Sequence, residues 1–391
     1  MWIERRHQEA LARLARQFKA VLVTGPRQSG KTSLLTRLFP RVRYVSLDDP
    51  LLAANALANP ESFLTQLGTP VIVDEVQYAP VLFRYLKRAV DRSNRKAQYL
   101  LTGSQSFPLM QGVSESLAGR TGVLELPTLS ADEVLSARPS QDVQDYVIRG
   151  GFPVLNAGGA EEAGSWFPSY VATYLERDVR NALRIASLRD YARFLRLVAT
   201  RTATILSYSD IARDVGISPN TAKAWLSVLQ ASGLVFLLEP YFRNVGKRLV
   251  KSPKLYLLDC GLACHLLGIR SWADLERSPL AGNVWETYAF GQLYRSLLHA
   301  GETNPSLWFW RTADGNEVDF VVERGGRFLL YEAKLSQTVA EADLRGVHAF
   351  QQSYGASNLI KAMIVCRTRK PFPLGPKIVA SNGLGLSERD M

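Results

Sequence analysis

Cysteine is scarce. Only Cys260, Cys264 and Cys366 occur in 391 residues. That excludes a small disulfide-stapled secreted scaffold and fits a reducing cytosol. The run Cys260-Gly-Leu-Ala-Cys264-His265 has no fourth ligand nearby and is not a haem-attachment spacing. Two cysteines buried in a helix are the expectation there. Long apolar runs are missing as well, and none has the length of a bilayer span. The opening residues, Met1-Trp2-Ile3-Glu4-Arg5-Arg6, lack the apolar core of a signal peptide. A cytoplasmic protein with no membrane partner is expected. An excess of acid is absent too: the formal net charge is +11, which suggests a polyanionic partner, nucleic acid first. What is present is a 47% hydrophobic chain, ample for buried cores and long enough for two or three domains.

The chain is organised around Val21–Thr36. Apolar Val21-Leu22-Val23 leads into Gly25, Pro26, Arg27, Gln28, Ser29, Gly30, Lys31, Thr32 and Ser33, and Leu34, Leu35 and Leu38 follow at helical spacing. This is G-x-x-x-x-G-K-[ST] between a strand and a helix, the setting a phosphate-binding loop needs. The two glycines let the backbone turn and approach phosphate oxygens. Amides of Gln28 to Lys31 would cradle a β-phosphate at the helix N-terminus. Lys31 would neutralise β- and γ-phosphates, and Thr32 would place its hydroxyl on Mg²⁺. A second apolar strand, Val71-Ile72-Val73, ends in Asp74-Glu75. Asp74 would hold Mg²⁺ through water and Glu75 would polarise the attacking water, which favours an ATPase over a passive binder.

Strands are expected at Arg43–Leu47, Gln98–Leu101 and Gly122–Leu126, with helices between them. That alternation implies a parallel sheet with nucleotide at its carboxyl edge. Ser104 and Gln105 follow a strand where it would meet the γ-phosphate, to sense it or position water; a plain turn is the alternative. Arg120 is a candidate arginine finger, in cis or from a neighbouring subunit of a homo-oligomer. Ser130-Ala131-Asp132-Glu133 forms a capping box that opens a helix. Short helices around Gly150-Gly151-Phe152-Pro153 suit a helical lid. Further on, a helix at Tyr208–Val215, a turn at Gly216 and a second helix started by Ser218-Pro219 read as a winged helix-turn-helix, with a wing at Asn244–Arg248. Asn220, Lys223 and Ser227 would face outward, towards DNA or towards a protein.

Near the C-terminus, Glu317–Val322 and Phe328–Lys334 form a hairpin after a helix carrying Glu286. Residues two apart in a strand share a face, so Glu332 and Lys334 point together and Asp319 meets them. An Asp, a Glu-x-Lys and an acid on the preceding helix match a restriction-endonuclease-like pattern. Asp319, Glu332 and Glu286 would then hold Mg²⁺, and Lys334 would activate water.

Taken together, GPRQSGKT, VIVDEVQ, LLTGSQ, SLAGR, GGFP, YLERDV, LDCGLA and EVDFVV…YEAK resemble the prokaryotic AAA-superfamily ATPases whose P-loop domain precedes a C-terminal domain of unknown function. The resemblance spans residues from about 20 to 335 and implies ATP binding by Gly25–Thr32, with Mg²⁺ and hydrolysis roles for Asp74 and Glu75. It also implies a restriction-endonuclease-like C-terminal fold, without implying that this fold cleaves. The expected α/β architecture is a P-loop core at residues 1–130, a lid at 131–186, a winged helix at 187–253 and a nuclease-like domain at 254–391.

Overall fold

The computed structural model describes residues 1–103, 117–158, 163–175, 187–241, 252–303 and 305–386. Its first layer is a five-stranded parallel sheet in the order β2-β3-β4-β1-β5. The strands are β1 (Ala20–Thr24), β2 (Arg43–Ser46), β3 (Val71–Asp74), β4 (Tyr99–Thr102) and β5 (Thr121–Glu125). β1 and β3 are buried along their whole length. Val21 and Val23 pack with Leu11, Leu34 and Leu35, from helices α1 (His7–Gln17) and α2 (Lys31–Leu38), on one face. Ala20 and Leu22 lie in the core on the other face, with Phe63, Phe83 and Leu86 from α4 (Pro60–Leu67) and α5 (Leu82–Asp91). Helices on both faces are what an all-parallel sheet requires. α3 (Pro50–Ala58) enters this layer through a sharp start: Asp49 accepts from the amides of Leu51 and Leu52, and Pro50 fixes the first turn.

The capping box at Ser130 is present and opens α6 (Ala131–Ala137). Behind it come α7 (Val143–Arg149), α8 (Pro153–Asn156) and α9 (Ala163–Tyr170). Next, α10 (Leu188–Thr200), α11 (Tyr208–Val215) and α12 (Pro219–Ala231) share a core of Phe194, Ile211, Ala212, Trp225, Leu226 and Leu229. Gly216 takes the left-handed conformation that stops α11, and Ser218 caps α12. A three-stranded antiparallel sheet in the order β6-β8-β7 closes this unit, from β6 (Thr204–Ile205), β7 (Val235–Leu238) and β8 (Lys254–Leu257). β8 is its central strand, so a boundary after residue 253 cuts this sheet; the unit extends through Leu257. The expected wing at Asn244–Arg248 lies outside the described residues.

The two cysteines of the Cys260–Cys264 run are buried in α13 (Cys260–Leu266), where their thiols meet the carbonyls of Tyr146 and Val147 on α7. Burial pushes the Cys264 thiol up to about 12. After α14 (Trp272–Arg277), the long α15 (Ala281–His299) is buried nearly all round. It packs against a six-stranded sheet ordered β13-β14-β12-β11-β10-β9. Those strands are β9 (Leu307–Arg311), β10 (Glu317–Arg324), β11 (Arg327–Ala333), β12 (Leu359–Val365), β13 (Phe372–Gly375) and β14 (Ile378–Ser381). β10 and β11 form the expected hairpin. β12 then joins β11 in parallel across α16 (Arg345–Tyr354).

Backbones from distant parts of the chain touch at Gly150-Gly151 and Gly261. A Cβ at Gly151 would lie 2.1 Å from the Leu129 carbonyl oxygen, and one at Gly261 2.5 Å from that of Arg149. This crossing fixes the segment after α7 against the start of α13. Gly261→Ala should therefore lose about 1–3 kcal/mol of stability by overpacking. Gly282→Ala, where a Cβ meets nothing within 4 Å, should lose none. Urea denaturation of the two variants tests the contrast.

Candidate functional site: a phosphate-binding loop and a buried acid cluster

The loop from Gly25 to Thr32 lies at the carboxyl end of β1. Gly25 has φ +142°, and a Cβ there would fall 2.2 Å from the Leu126 carbonyl oxygen. That carbonyl continues β5, so Gly25 is required by the neighbouring strand and not only by an approaching phosphate. Gly30 has φ +92°, and a Cβ there would meet only Pro153 at an ordinary 3.7 Å, so its requirement is conformational. Gln28 is also left-handed, at φ 65°. Lys31 folds back over the loop and donates to the carbonyls of Gly25 (3.2 Å) and Pro26 (2.8 Å). Burial lowers its pKa to about 8, against the opposing pull of Glu75 and Asp74.

Asp74 ends β3 beside the loop. Its Oδ1 accepts from the Thr32 hydroxyl at 2.9 Å and from the Thr102 hydroxyl, and its Oδ2 accepts from Tyr44 at 2.8 Å. Desolvation and that bond to Asp74 push the Tyr44 phenol up to about 12. Glu75 sits in the left-handed region at φ 54°, with its amide donating to Thr102 Oγ1 and Gln77 donating to its carboxylate. β4, inserted between β1 and β3, is what brings Thr102 to both acids. Lys31, Thr32, Ser33 and Glu75 line one cavity of about 460 Å³. Its opposite wall is apolar, from Trp2, Ile3, Leu129, Pro153 and Val154. Phosphate-binding chemistry on one side and an apolar slot on the other fit a nucleotide.

Arg5 was invisible to motif reasoning, yet it ties this cavity together. Its guanidinium donates to the carbonyls of Ser29 (2.9 Å) and Pro127 (2.7 Å) and pairs with Glu133 on α6. Glu133 also stands near His7 and His299, with one ligand-type atom from each of the three within 4.8 Å of the others. Arg5 and the Arg6 amide already occupy its Oε1, and burial pushes both imidazoles towards the neutral form, His299 to about 4. That cluster reads as an interdomain contact and not as a metal centre.

Arg120 does not belong to this cavity. It precedes β5 at the amino edge of the sheet, where its carbonyl accepts from Ala20, and its guanidinium is paired with Asp91 at 2.8 Å. The loop lies at the other edge, about 13 Å along the strands. As a finger in cis, Arg120 is thus corrected by the direction of β5. Ser104 and Gln105 lie outside the described residues.

The second cluster lies in the C-terminal half. Asp319 on β10, Glu332 on β11, Lys334 just after it, and Glu286 on α15 share one cavity of about 410 Å³, as the hairpin pattern implied. The Ala333 amide donates to Asp319 at 2.9 Å, and Lys334 stands 3.7 Å from Glu332. Burial, then the charge of Asp319, raises Glu332 well above the usual carboxylate range and Glu286 to about 7. One member was missed: Lys254, from β8 of the preceding unit, reaches Glu286 (2.9 Å), Asp319 (3.4 Å) and Glu317.

The loop, the Asp74-Glu75 strand and the five-stranded order define a P-loop ATPase fold. Residues 17–135 match the family model described as an AAA domain, and residues 140–273 and 281–382 match two domains of unknown function, DUF8612 and DUF4143. The chain is 34% identical over 388 residues to the uncharacterized protein Rv2008c of Mycobacterium tuberculosis, covering 97% of this chain and 84% of that one, and matches Mb2031c of Mycobacterium bovis to the same extent. It belongs to their family. Among solved structures it is similar to the Walker-type ATPase PABY2304 of Pyrococcus abyssi, at 16% identity and TM-score 0.45, over 68% of this chain and 96% of that one. It is also similar to the STAND protein PH0952 of Pyrococcus horikoshii, at 14% identity and TM-score 0.28, over 78% and 48%. No helix among the described residues is long and apolar enough to cross a membrane.

The lowered pKa of Lys31 has a measurable consequence. Polyphosphate favours the ammonium, so nucleotide binding at pH 8.5 should take up a proton, and affinity should fall as pH rises beyond about 8. Calorimetry in buffers of different ionisation enthalpy reads the uptake directly. Lys31→Met should abolish it.

Proposed function

We propose that the chain is a Mg²⁺-dependent ATPase that relays its nucleotide state to a DNA-binding unit and to the C-terminal domain. The observation that carries the enzyme reading is the convergence of Lys31, Thr32 and Glu75 on one cavity, with Asp74 bonded to the Thr32 hydroxyl behind it. Lys31 takes the β- and γ-phosphates. Thr32 and Asp74 hold Mg²⁺, directly and through water. Glu75, steadied by Gln77, polarises the attacking water, and the base rests on the apolar wall of Trp2, Ile3 and Pro153. Lys31→Ala should lose nucleotide affinity. Glu75→Gln should keep it while kcat falls by about 10²–10⁴. A wild-type rate in Glu75→Gln would remove Glu75 as the base.

The relay reading rests on buried polar contacts that run away from the loop. Arg5 joins Ser29 to Pro127. The next residue, Thr128, bonds Asp259 at 3.0 Å and Arg295. Asp259 follows β8 by two residues and caps α13. We read the unit of α10–α12 and β6–β8 as a winged helix-turn-helix, with exposed Asn220 and Lys223 on the outer face of its second helix. Duplex DNA should bind there with an affinity that falls steeply with salt, through counterion release. Lys223→Glu should weaken binding further in a fluorescence-anisotropy titration. Absence of binding at low salt would assign the face to a protein contact. The C-terminal domain is read as a restriction-endonuclease-like fold used for contact, and the position of Lys254 favours that over cleavage.

A further inference from the structure

A restriction-endonuclease-like fold implies a divalent metal held by its acid cluster, and the residues around Asp319 can be tested for that fit. Lys254 is the decisive one. Its side chain is 4% exposed, and its ammonium lies within ion-pair reach of Glu286, Glu317 and Asp319 together. A point in reach of three carboxylates is where a bridging cation would sit. Mg²⁺ needs oxygens at about 2.1 Å in octahedral array, and an ammonium at the centre excludes that arrangement.

The lysine is held at its backbone. Its backbone belongs to the central strand of a sheet, opposite Ile205 on β6 and Leu238 on β7. Its ammonium also lies 5.7 Å from the centre of the Phe309 ring. Further donors also serve the cluster. Tyr256, two residues on, donates to Glu286 at 2.6 Å, and the Ala333 amide donates to Asp319. Burial alone would lower the pKa of Lys254; Glu286, Tyr256, Asp319 and Glu317 outweigh it and hold the ammonium well above its ordinary range. Charge is nearly balanced without a metal. Five carboxylates, Glu286, Glu317, Asp319, Glu332 and Asp343, line the cavity with four cations, Lys254, Lys334, Arg311 and Arg345. A proton retained on Glu332 accounts for the difference.

We propose that the Lys254 ammonium is the resident cation of this cluster, so that the pocket takes no divalent ion while β8 is in place. The lysine then serves as an ionic latch between the helix-turn-helix unit and the C-terminal domain. Cleavage of a phosphodiester by this pocket would require the Lys254 ammonium to leave the cluster. The proposal is independent of ATP hydrolysis and is tested on the nucleotide-free full chain.

Mn²⁺ titration followed by electron paramagnetic resonance supplies the test, with wild type compared to Asp319→Asn. The two should bind Mn²⁺ alike, because the cluster contributes no site. Lys254→Met keeps the length of the side chain and removes its charge. It should gain one Mn²⁺ site, at least about tenfold tighter than any in wild type, and Asp319→Asn in that background should remove the site. If Lys254→Met is unfolded without metal, Mn²⁺ should restore its thermal transition. A wild-type Mn²⁺ site that Asp319→Asn abolishes would overturn the proposal. A folded Lys254→Met with no new site, or an unfolded one that Mn²⁺ does not restore, would overturn it as well.

Discussion

The contact between Asp259 and Arg295 is what the rest of the molecule hangs on. Both are buried, 3.9 Å apart, and neither is satisfied by the other alone. Asp259 also accepts from Thr128, from the Gly151 amide and from the Leu262 amide. Arg295 donates to Thr128 and to the carbonyl of Leu258. One carboxylate thereby gathers the exit of the ATPase sheet, the Gly150-Gly151 turn, the end of β8 and the start of α13. Removing one partner of such a pair costs about 3–5 kcal/mol, because the other charge is left buried and unmatched. The glycines at 150, 151 and 261 exist in this light: side chains there would hold the backbones too far apart for those bonds.

Two buried lysines show how the same residue type serves opposite ends. Lys31 faces an open cavity and has only backbone carbonyls as hydrogen-bond acceptors, so burial prevails and its pKa falls to about 8. It is a cation waiting for an anion. Lys254 is surrounded by carboxylates that outweigh burial, and its charge is fully used inside the fold. Binding capacity follows from the surplus left after internal pairing, and not from the mere presence of a charge.

Much of this was legible in the sequence, and the reasons it was are local. The P-loop, the Asp74-Glu75 strand, the Ser130 capping box and the Glu317–Ala333 hairpin are contiguous patterns whose spacing fixes their geometry. The helix stops at Gly216 and Ser218 were readable for the same reason. What escaped was long-range. Arg5 reaches Glu133 across 128 positions, and Lys254 reaches Asp319 across 65. No periodicity marks either. Arg120 misled as a finger in cis because Leu-Ala-Gly-Arg says nothing about which edge of the sheet it joins. Gly25 was assigned to the turn and to phosphate approach, although the neighbouring Leu126 carbonyl also demands it. Lys254 also shifted a domain boundary, since pattern alone left its strand in the wrong unit.

The central claim is that nucleotide at the P-loop is felt at β8 through Arg5, Thr128 and Asp259. Hydrogen exchange of Glu75→Gln, with and without ATP and Mg²⁺, measures this most directly, because the nucleotide stays bound while amide protection is read along the chain. Protection should change at residues 254–262 as well as at 25–36. Changes confined to the P-loop and the lid, with residues 254–262 unaltered, would contradict it.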